Sequence, residues 1–317
     1  MHFSRFMVCG LLLCTSPGLT FSAPGDARVG LVLSEESGAY RELADSFLAR
    51  TQQLTKKTDI EVTNVDGAVF DSWRGDGAPQ LVVTVGTRAA QAVFDARIGV
   101  PTLRVLIARN AHEVLQAQAK EANLKTPVTA IYIEQPWLRQ FDFVRRVLPK
   151  AERFGAILGP ASQQDAARIT SVAAQQNLMP LLRILTAQED AGAAFKAIVE
   201  QSDVMLAVPD PAVLTPSSAK WLLYTAYQRG IPVVGFSRAY VSAGALGAVF
   251  STPSQIGRQA AEMAARFTQE GLADLGPSIF PTYFSVAINR SVARSLRLDV
   301  PDEAELLRKL NAPELPL

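Results

Sequence analysis

The sequence has few cysteines and histidines, and this limits the chemistry it can support. Both cysteines, Cys9 and Cys14, lie close to the N-terminus, and His112 is the only histidine beyond His2. If the N-terminal segment is removed after secretion, disulfides, thiolate metal sites and a cysteine nucleophile are excluded. A cluster of histidines around a metal is excluded as well. We therefore expect neither a metal nor a cofactor.

An excess of charge of one sign is also lacking. The net charge is +1 and only 19% of the residues are charged. A basic surface that could hold nucleic acid is therefore not predicted. Low-complexity tracts and internal repeats are absent, so no long flexible tether is expected between domains. We expect a monomer without a nucleic-acid partner.

The first 27 residues have the pattern of a secretory signal peptide. A short basic start is followed by a nine-residue apolar run, residues 6–14, and then by small and turn-forming residues. The run is far shorter than the roughly 20 residues that cross a bilayer. Cleavage is expected after Ala23 or Ala27. A lipid anchor on Cys14 is the alternative, but Leu13 stands where that processing favours a small residue.

Buried strands alternate with helices along most of the chain. Apolar runs at 29–34 and 80–85 have the length of strands buried on both faces of a parallel sheet. Residues 101–107 and 129–134 continue this pattern, which starts again at 153–159. Strands separated by helices indicate βαβ crossovers, and two such series indicate two sheets. About 290 mature residues also favour two domains over one.

The segment 231–267 predicts how two lobes would be joined. It reads as a strand ending at Phe236, a loop, a strand at 244–251, and an amphipathic helix opened by a capping box at Thr252. If the strand at 244–251 returns to the first sheet, the chain crosses between lobes three times. Such a hinge would let two doubly wound α/β lobes close on each other.

Three segments carry a resemblance to a known family: residues 209–265, VAINRSVARSLRLDVPDE at 286–303, and VTVGTRAAQAV at 83–93. In these segments the chain resembles the ABC transporter substrate-binding family that includes tryptophan-binding members. The resemblance implies the type I periplasmic binding-protein fold. After the signal peptide predicted at 1–27, it implies a first lobe of residues 28–130 plus 244–285 and a second lobe of 131–243 plus 286–317.

The ligand site is expected beyond the carboxyl ends of the strands, where helix N-termini offer free backbone donors. Thr87 could cap the helix that follows Gly86 and share its donors with a ligand carboxylate, or act as a plain cap. Asp210, between two prolines, could meet a ligand ammonium or hydroxyls, or bond its own turn. Aromatic rings near the loops that follow the strands could stack on a planar solute. The candidate ligand-binding residues are Ser34, Tyr40, Gly86, Thr87, Arg88, Gln135, Asp210, Phe236, Ser237 and Tyr240.

A hydrolase is the less favoured alternative. Residues 235–239, GFSRA, approach the G-x-S-x-G turn that exposes a serine nucleophile. Ala239 replaces the last glycine, and His112 precedes Ser237, against the order of that fold. A second strand is expected where the motif needs a helix. No catalytic residue is predicted.

The resemblance and the pattern together predict a periplasmic protein that captures a small solute, possibly an amino acid, for an ABC permease in the inner membrane. The mechanism would be closure of the hinge. A periplasmic sensor that presents its solute to a membrane receptor is the alternative, because both roles need one closed, ligand-bound shape. The membrane partner that co-purifies with the loaded protein would distinguish them.

Overall fold

The computed structural model describes residues 27–55, 58–67, 70–186, 189, 191–270 and 275–311. The predicted signal peptide, with its two cysteines, falls almost wholly within residues 1–26 and so lies outside the described residues. Within the described ranges, no helix has both the length and the apolar content that a membrane span requires.

The first sheet has five parallel strands, all from the N-terminal part of the chain. They are β1 (Ala27–Leu33), β2 (Thr58–Asn64), β3 (Leu81–Val85), β4 (Thr102–Ile107) and β5 (Val128–Tyr132), in the order β2-β1-β3-β4-β5. The crossovers are α1 (Gly38–Leu54), α2 (Thr87–Ala96) and α3 (Arg109–Glu121), with 3-10 turns at Phe70–Trp73 and Gly75–Gly77 before β3. Every residue of β3 is buried, as its continuous apolar run predicts.

The second sheet has six strands, of which only the last is antiparallel. They are β6 (Arg153–Leu158), β7 (Met179–Ile184), β8 (Val204–Leu206), β9 (Val233–Gly235), β10 (Gly247–Phe250) and β11 (Ser285–Ile288), in the order β11-β10-β9-β8-β6-β7. The helices of this part are α4 (Trp137–Val147), α5 (Ala166–Gln175), α6 (Ala191–Val199), α7 (Pro216–Gln228), α8 (Arg238–Ala243), α9 (Pro253–Glu270), α10 (Arg290–Ser295) and α11 (Glu303–Asn311), with a 3-10 turn at Gln163–Asp165. The two parallel sheets form two lobes, as predicted.

The strand at 244–251 does not return to the first sheet, which corrects the prediction that lobe I resumes at residue 244. Gly247 and Ala248 of β10 pair in parallel with Val234 and Gly235 of β9, and β10 also pairs with β11. The apolar side chains of this strand fit either sheet, so the pattern alone did not place it. The return to lobe I comes after Phe250, when the chain enters α9.

Helix α9 belongs to lobe I, although it comes from the C-terminal half of the chain. Ile256, Ala260 and Met263 join the core of the first sheet. A Cβ atom added to Gly257 would overlap the backbone carbonyl of Leu43, so the glycine allows α9 to lie directly against α1. Residues 278–279 then run beside β5, where Ile279 forms a bridge with Ile131. The chain crosses back before β11, which makes three crossings in all.

The segment after Phe236 is also more regular than expected. Residues 238–243, predicted as a loop, form the short helix α8 between β9 and β10. Six residues are too few to give a recognisable apolar period, so the pattern did not reveal it. The predicted capping box of α9 is confirmed, because Thr252 Oγ1 accepts from the Gln255 amide at 3.2 Å and Gln255 Oε1 accepts from the Thr252 amide at 2.9 Å.

Candidate functional site

The two lobes meet where their parallel strands end. Arg109 begins α3 directly after β4, and Asp165 lies in the 3-10 turn after β6. Their side chains form an ion pair from one lobe to the other. The carboxyl ends of the strands of both sheets therefore face a shared cleft, the position at which open parallel sheets bind ligands.

Ser34, at the end of β1, organises the lobe I side of the cleft. Its hydroxyl accepts a hydrogen bond from the Ala89 amide in the first turn of α2 at 3.0 Å. The N-cap of α2 is Gly86, with φ of 92°, so Thr87 is not the cap that the sequence suggested. Ser34 takes the Ala89 donor, and the amides of Thr87 and Arg88 have no acceptor among the described residues, so these two first-turn amides could meet a ligand. Thr87 itself is exposed.

Tyr40 and Arg88 lie beside this turn. A Cβ atom at Gly86 would stand 2.6 Å from both Ser34 Oγ and Tyr40 Cε1, so only glycine lets these groups approach the loop. Tyr40 is half-buried against the lobe I core. Arg88 donates to the Ser34 carbonyl at 3.1 Å and forms a 3.4 Å ion pair with Asp66. Four candidates, Ser34, Tyr40, Gly86 and Arg88, thus come together with Thr87.

A compact charged cluster occupies the cleft between the lobes. Besides Asp165, Arg109 pairs with Glu113 at 2.6 Å, and its backbone amide donates to both carboxylate oxygens of Glu134 at 3.0 and 3.1 Å. The Arg109 side chain is only 11% exposed. Arg168 also approaches Asp165 at 3.9 Å, so the three carboxylates exceed the two guanidinium groups by one negative charge when all three are ionised. The cluster is therefore suited to attract a cationic group.

Glu134 is the partly buried carboxylate that the Arg109 amide binds in this cluster. Burial raises its pKa, although the hydrogen bonds from the Arg109 amide and the nearby Arg109 charge act in the opposite direction. The strand before Arg109 is irregular, because the pairing of β4 with β5 shifts register between Val105 and Ile107. Leu106 there has a φ of 52°, which costs a non-glycine residue roughly 1–2 kcal/mol. This bulge marks the entry of the chain into the cleft.

Asp210 lies on the lobe II side, where it stabilises two loops. It is 2% exposed, and its carboxylate accepts from the Ala161 amide at 3.0 Å, Ser162 Oγ at 2.8 Å and the Ala212 amide at 3.0 Å. A Cβ atom at Gly159 would stand 2.7 Å from Asp210 Oδ1. The hydrogen bond from Ala212 is the bond within its own turn that the sequence offered as the alternative role of Asp210. The carboxylate also ties the turn after β8 to the loop after β6.

Phe236, Ser237 and Tyr240 are adjacent at the end of β9. Ser237 is the N-cap of α8 and accepts from the Tyr240 amide at 3.2 Å. The rings of Phe236 and Tyr240 lie 4.9 Å apart. Burial raises the pKa of Tyr240 to about 12, and its hydroxyl has no partner among the described residues. Phe236 is only partly buried and is the ring of this pair that a ligand can reach.

Gln135 belongs to the hinge. Its amide nitrogen donates to Ser251 Oγ at 2.8 Å, and Ser251 in turn donates to the Tyr283 carbonyl at 2.6 Å. These residues lie on the first, second and third crossings, so one chain of hydrogen bonds joins all three. Arg139 donates to Gln135 Oε1 at 2.7 Å and to the Pro281 carbonyl at 2.9 Å. Both polar ends of the Gln135 side chain are thus bonded to protein.

The aromatic residues farther from the cleft belong to the core. Trp73 is 2% exposed, contacts Gly30 under the first sheet and donates to Glu61 at 3.0 Å. Trp137 packs on the lobe II core and stacks on Phe141. Arg238 lies 5.5 Å from the centre of the Phe250 ring.

His112 and Ser237, the pair that a serine hydrolase would need, lie in different lobes. His112 is 3% exposed in lobe I, where its ring bonds Ser278 and Gln116, whereas Ser237 lies in lobe II. The described ranges contain no group of His, Cys, Asp and Glu suited to a metal ion.

The sequence did not single out Arg109 and Asp165. Arg109 follows β4 after one residue, without a turn signal, because α3 starts immediately. Asp165 lies in the 3-10 turn after β6, where the sequence suggested no candidate residue. The rule that ligands lie beyond strand ends applies to both positions, but their pairing depends on how the lobes meet.

Comparisons with known proteins agree with the fold. The family model described as ABC transporter substrate binding protein matches residues 73–308. A tyrosine-binding protein of Clostridioides difficile (strain R20291) is 20% identical over 241 residues, covering 75% of this chain and 67% of that protein.

Solved structures give the same result. A ligand-free, open substrate-binding protein with adhesive properties from Clostridium difficile superposes with a TM-score of 0.66 at 17% identity, covering 87% of this chain and 96% of the other. The ABC domain in complex with L-Trp from Streptococcus pneumonia superposes with a TM-score of 0.59 at 16% identity, covering 89% and 98%. At these identities the likeness establishes the fold alone.

Proposed function

Because the chain belongs to the ABC transporter substrate-binding protein family, we propose that it captures an amino acid between its lobes and delivers it to an ABC permease. The N-terminal pattern supports secretion to the periplasm, where such delivery takes place. The protein works as a monomer whose hinge closes on the solute. The family consists of substrate-binding proteins rather than enzymes.

The charged cluster in the cleft is the observation that carries this proposal. Arg109, Glu134 and Asp165 bring one guanidinium and two carboxylates together at the ends of strands from both lobes. Isolated charges are costly to hold away from water, and they persist where they pair with each other or with a ligand. A solute with its own charges can exchange partners with this cluster as the lobes close.

A zwitterionic solute fits the two halves of the site. Its carboxylate would bind the free first-turn amides at Thr87 and Arg88, with Ser34 and Gly86 shaping that turn. Its ammonium would lie towards the negative cluster. Tyr40 and Phe236 would supply the apolar walls.

An aromatic amino acid is the first choice of solute. The half-exposed rings of Tyr40 and Phe236 suit a planar side chain, and the tyrosine-binding and L-Trp-bound relatives support the choice. Asp210 and Ser237 hold the lobe II loops in place behind the solute, and Tyr240 supports the Phe236 ring. Gln135 holds the crossing segments of the hinge together through its hydrogen bonds.

A thermal-shift screen of the chain without residues 1–27 tests the proposal. The panel would contain the amino acids, sugars, nucleosides and small organic acids. A ligand at a hundred times its dissociation constant stabilises by about 2.7 kcal/mol, which raises the midpoint by several degrees. An aromatic amino acid should give the largest shift. A panel without any shift would contradict solute binding, and a shift by a sugar alone would contradict the assigned solute class.

A further inference from the structure

A buried arginine in lobe I has no counter-ion among the described residues. Arg104 is 3% exposed in the middle of β4, and its Nε and Nη1 atoms lack hydrogen-bond partners there. Burial lowers its pKa to about 10, so it remains charged at neutral pH. A buried charge is expensive unless it is paired. The function proposed for the cleft leaves this arginine unexplained.

Arg104 lines a pocket of about 40 Å³ between α2, α3 and the starts of β4 and β5, and the exposed Arg97 lines the same pocket. The lining is apolar apart from the two arginines and the hydroxyls of Thr102 and Thr126. The charge of Arg104 also acts on His112, whose Nδ1 atom is buried without a partner among the described residues. None of the described lining residues is Asp or Glu. The pocket lies at the amino-terminal edge of the sheet, where Thr102 and Val128 begin their strands, and therefore away from the cleft.

A second buried donor lies next to Arg104. Thr84 of β3 is paired with Arg104 in the sheet, is fully buried, and its hydroxyl also has no partner among the described residues. Paired positions on adjacent strands present their side chains to the same face. Nε and Nη1 of Arg104 and the Thr84 hydroxyl are therefore neighbouring buried donors without acceptors among the described residues.

From the pocket and these unpaired donors we infer that Arg104 binds a small inorganic anion of the halide class in lobe I. One water needs roughly 10–15 Å³ of such a cavity, so about 40 Å³ admits one halide ion with a water. Larger organic anions are excluded by size. The ion would neutralise Arg104 and hold α2 and α3, which both begin at the cleft, against β4.

The first test is an anion titration of thermal stability. The chain would be purified in sodium gluconate, and chloride would replace gluconate at constant ionic strength. Chloride should raise the melting temperature saturably by a few degrees. Arg104→Met should abolish the rise, whereas Arg41→Met, which changes an exposed arginine of the same lobe, should retain it. An equal response in wild type and Arg104→Met would overturn the inference.

The second test needs no variant and so does not depend on whether Arg104→Met folds. Crystals of the wild-type chain grown in sodium bromide would be measured at the bromine absorption edge. An anomalous peak beside the Arg104 guanidinium is the expected result. Ordinary water in the pocket, without an anomalous peak at this position, would show that Arg104 is hydrated rather than ion-bound and would overturn the inference.

Discussion

Nη2 of Arg109 donates to Oδ1 of Asp165, and this ion pair joins the two lobes across the cleft. The Arg109 side chain also pairs with Glu113, and its backbone amide donates to Glu134, so Arg109 contacts three carboxylates from both sides of the cleft. The pair is largely shielded from water, with side-chain exposures of 11% and 17%. It therefore couples the arrangement of the lobes to the charges that a solute would meet.

Removing this ion pair should separate the lobes in the absence of solute. Truncating one partner of a buried charge pair at an interface costs about 2–5 kcal/mol. Arg109→Met should thus enlarge the radius of gyration measured by small-angle X-ray scattering. Arg168→Met is the matched control, because Arg168 approaches the same Asp165 carboxylate at 3.9 Å from within lobe II and is 52% exposed. Equal radii for the two variants would contradict a role for Arg109 in closure.

Asp210→Ala should lower the free energy of unfolding by at least about 2 kcal/mol. The substitution removes the acceptor of the buried Ser162 hydroxyl and of the less buried Ala161 and Ala212 amides, and one unsatisfied buried donor alone costs about 1–3 kcal/mol. Urea denaturation measures the change. Asp95→Ala, which removes an exposed carboxylate, should stay within about 0.5 kcal/mol of wild type. Wild-type stability of Asp210→Ala would refute its structural role in lobe II.

Gly257→Ala tests the return of the chain to lobe I through α9. The new methyl group would meet the Leu43 carbonyl, and overpacking of this kind costs about 1–3 kcal/mol. Urea denaturation should show this loss. Gly67→Ala is the control, because its Cβ would lie 3.4 Å from Asn64 Oδ1 in ordinary contact. If both variants unfold at the same urea concentration, α9 does not lie against α1 as described.

The stability of the protein should depend on the protonation of His112. Burial, followed by the charge of Arg104, lowers the pKa of His112 to about 4, against about 6.5 in the unfolded chain. The unfolded state therefore binds more protons between these values, so stability is present above pH 6.5 and is lost as pH falls towards 4. The loss reaches about 3 kcal/mol.

This pH effect can be isolated in two ways. His112→Gln should lose less stability than wild type between pH 6.5 and 4.5. In a chain without residues 1–27, His112 is the only histidine, so its imidazole resonance reports its pKa directly by NMR. A midpoint near pH 6.5 in the folded protein would contradict the burial of this ring in neutral form.

The sequence predicted the architecture well because buried parallel strands have a simple signature. In a half-exposed sheet, every second apolar side chain of β3 and β6 would face water, so their continuous apolar runs imply helices on both faces. Strand β2 gave no such signal, since it is a polar edge strand that is buried on neither face. The sheet assignment of β10 was wrong because an apolar strand carries no information about which sheet it joins.

The candidate site was predicted in part. The rule that ligands lie beyond strand ends selected Ser34, Gly86 and Arg88, which are neighbours in the structure, and their contact with a solute stays a prediction. It did not distinguish residues that face a solute from residues that hold loops together, such as Asp210. That distinction depends on which donors lie opposite each side chain. The pairing of Arg109 with Asp165 depends on contact between the lobes, for which local sequence gives no signal.

Isothermal titration calorimetry with L-tryptophan and L-tyrosine tests the central claim most directly. At least one of them should bind the chain without residues 1–27 at a single site. Arg109→Met should weaken that binding at least tenfold, which corresponds to about 1.4 kcal/mol, and Arg168→Met should not. If neither amino acid binds, the aromatic solute is contradicted. Equal affinities of the two variants for the bound amino acid would contradict its position between the lobes.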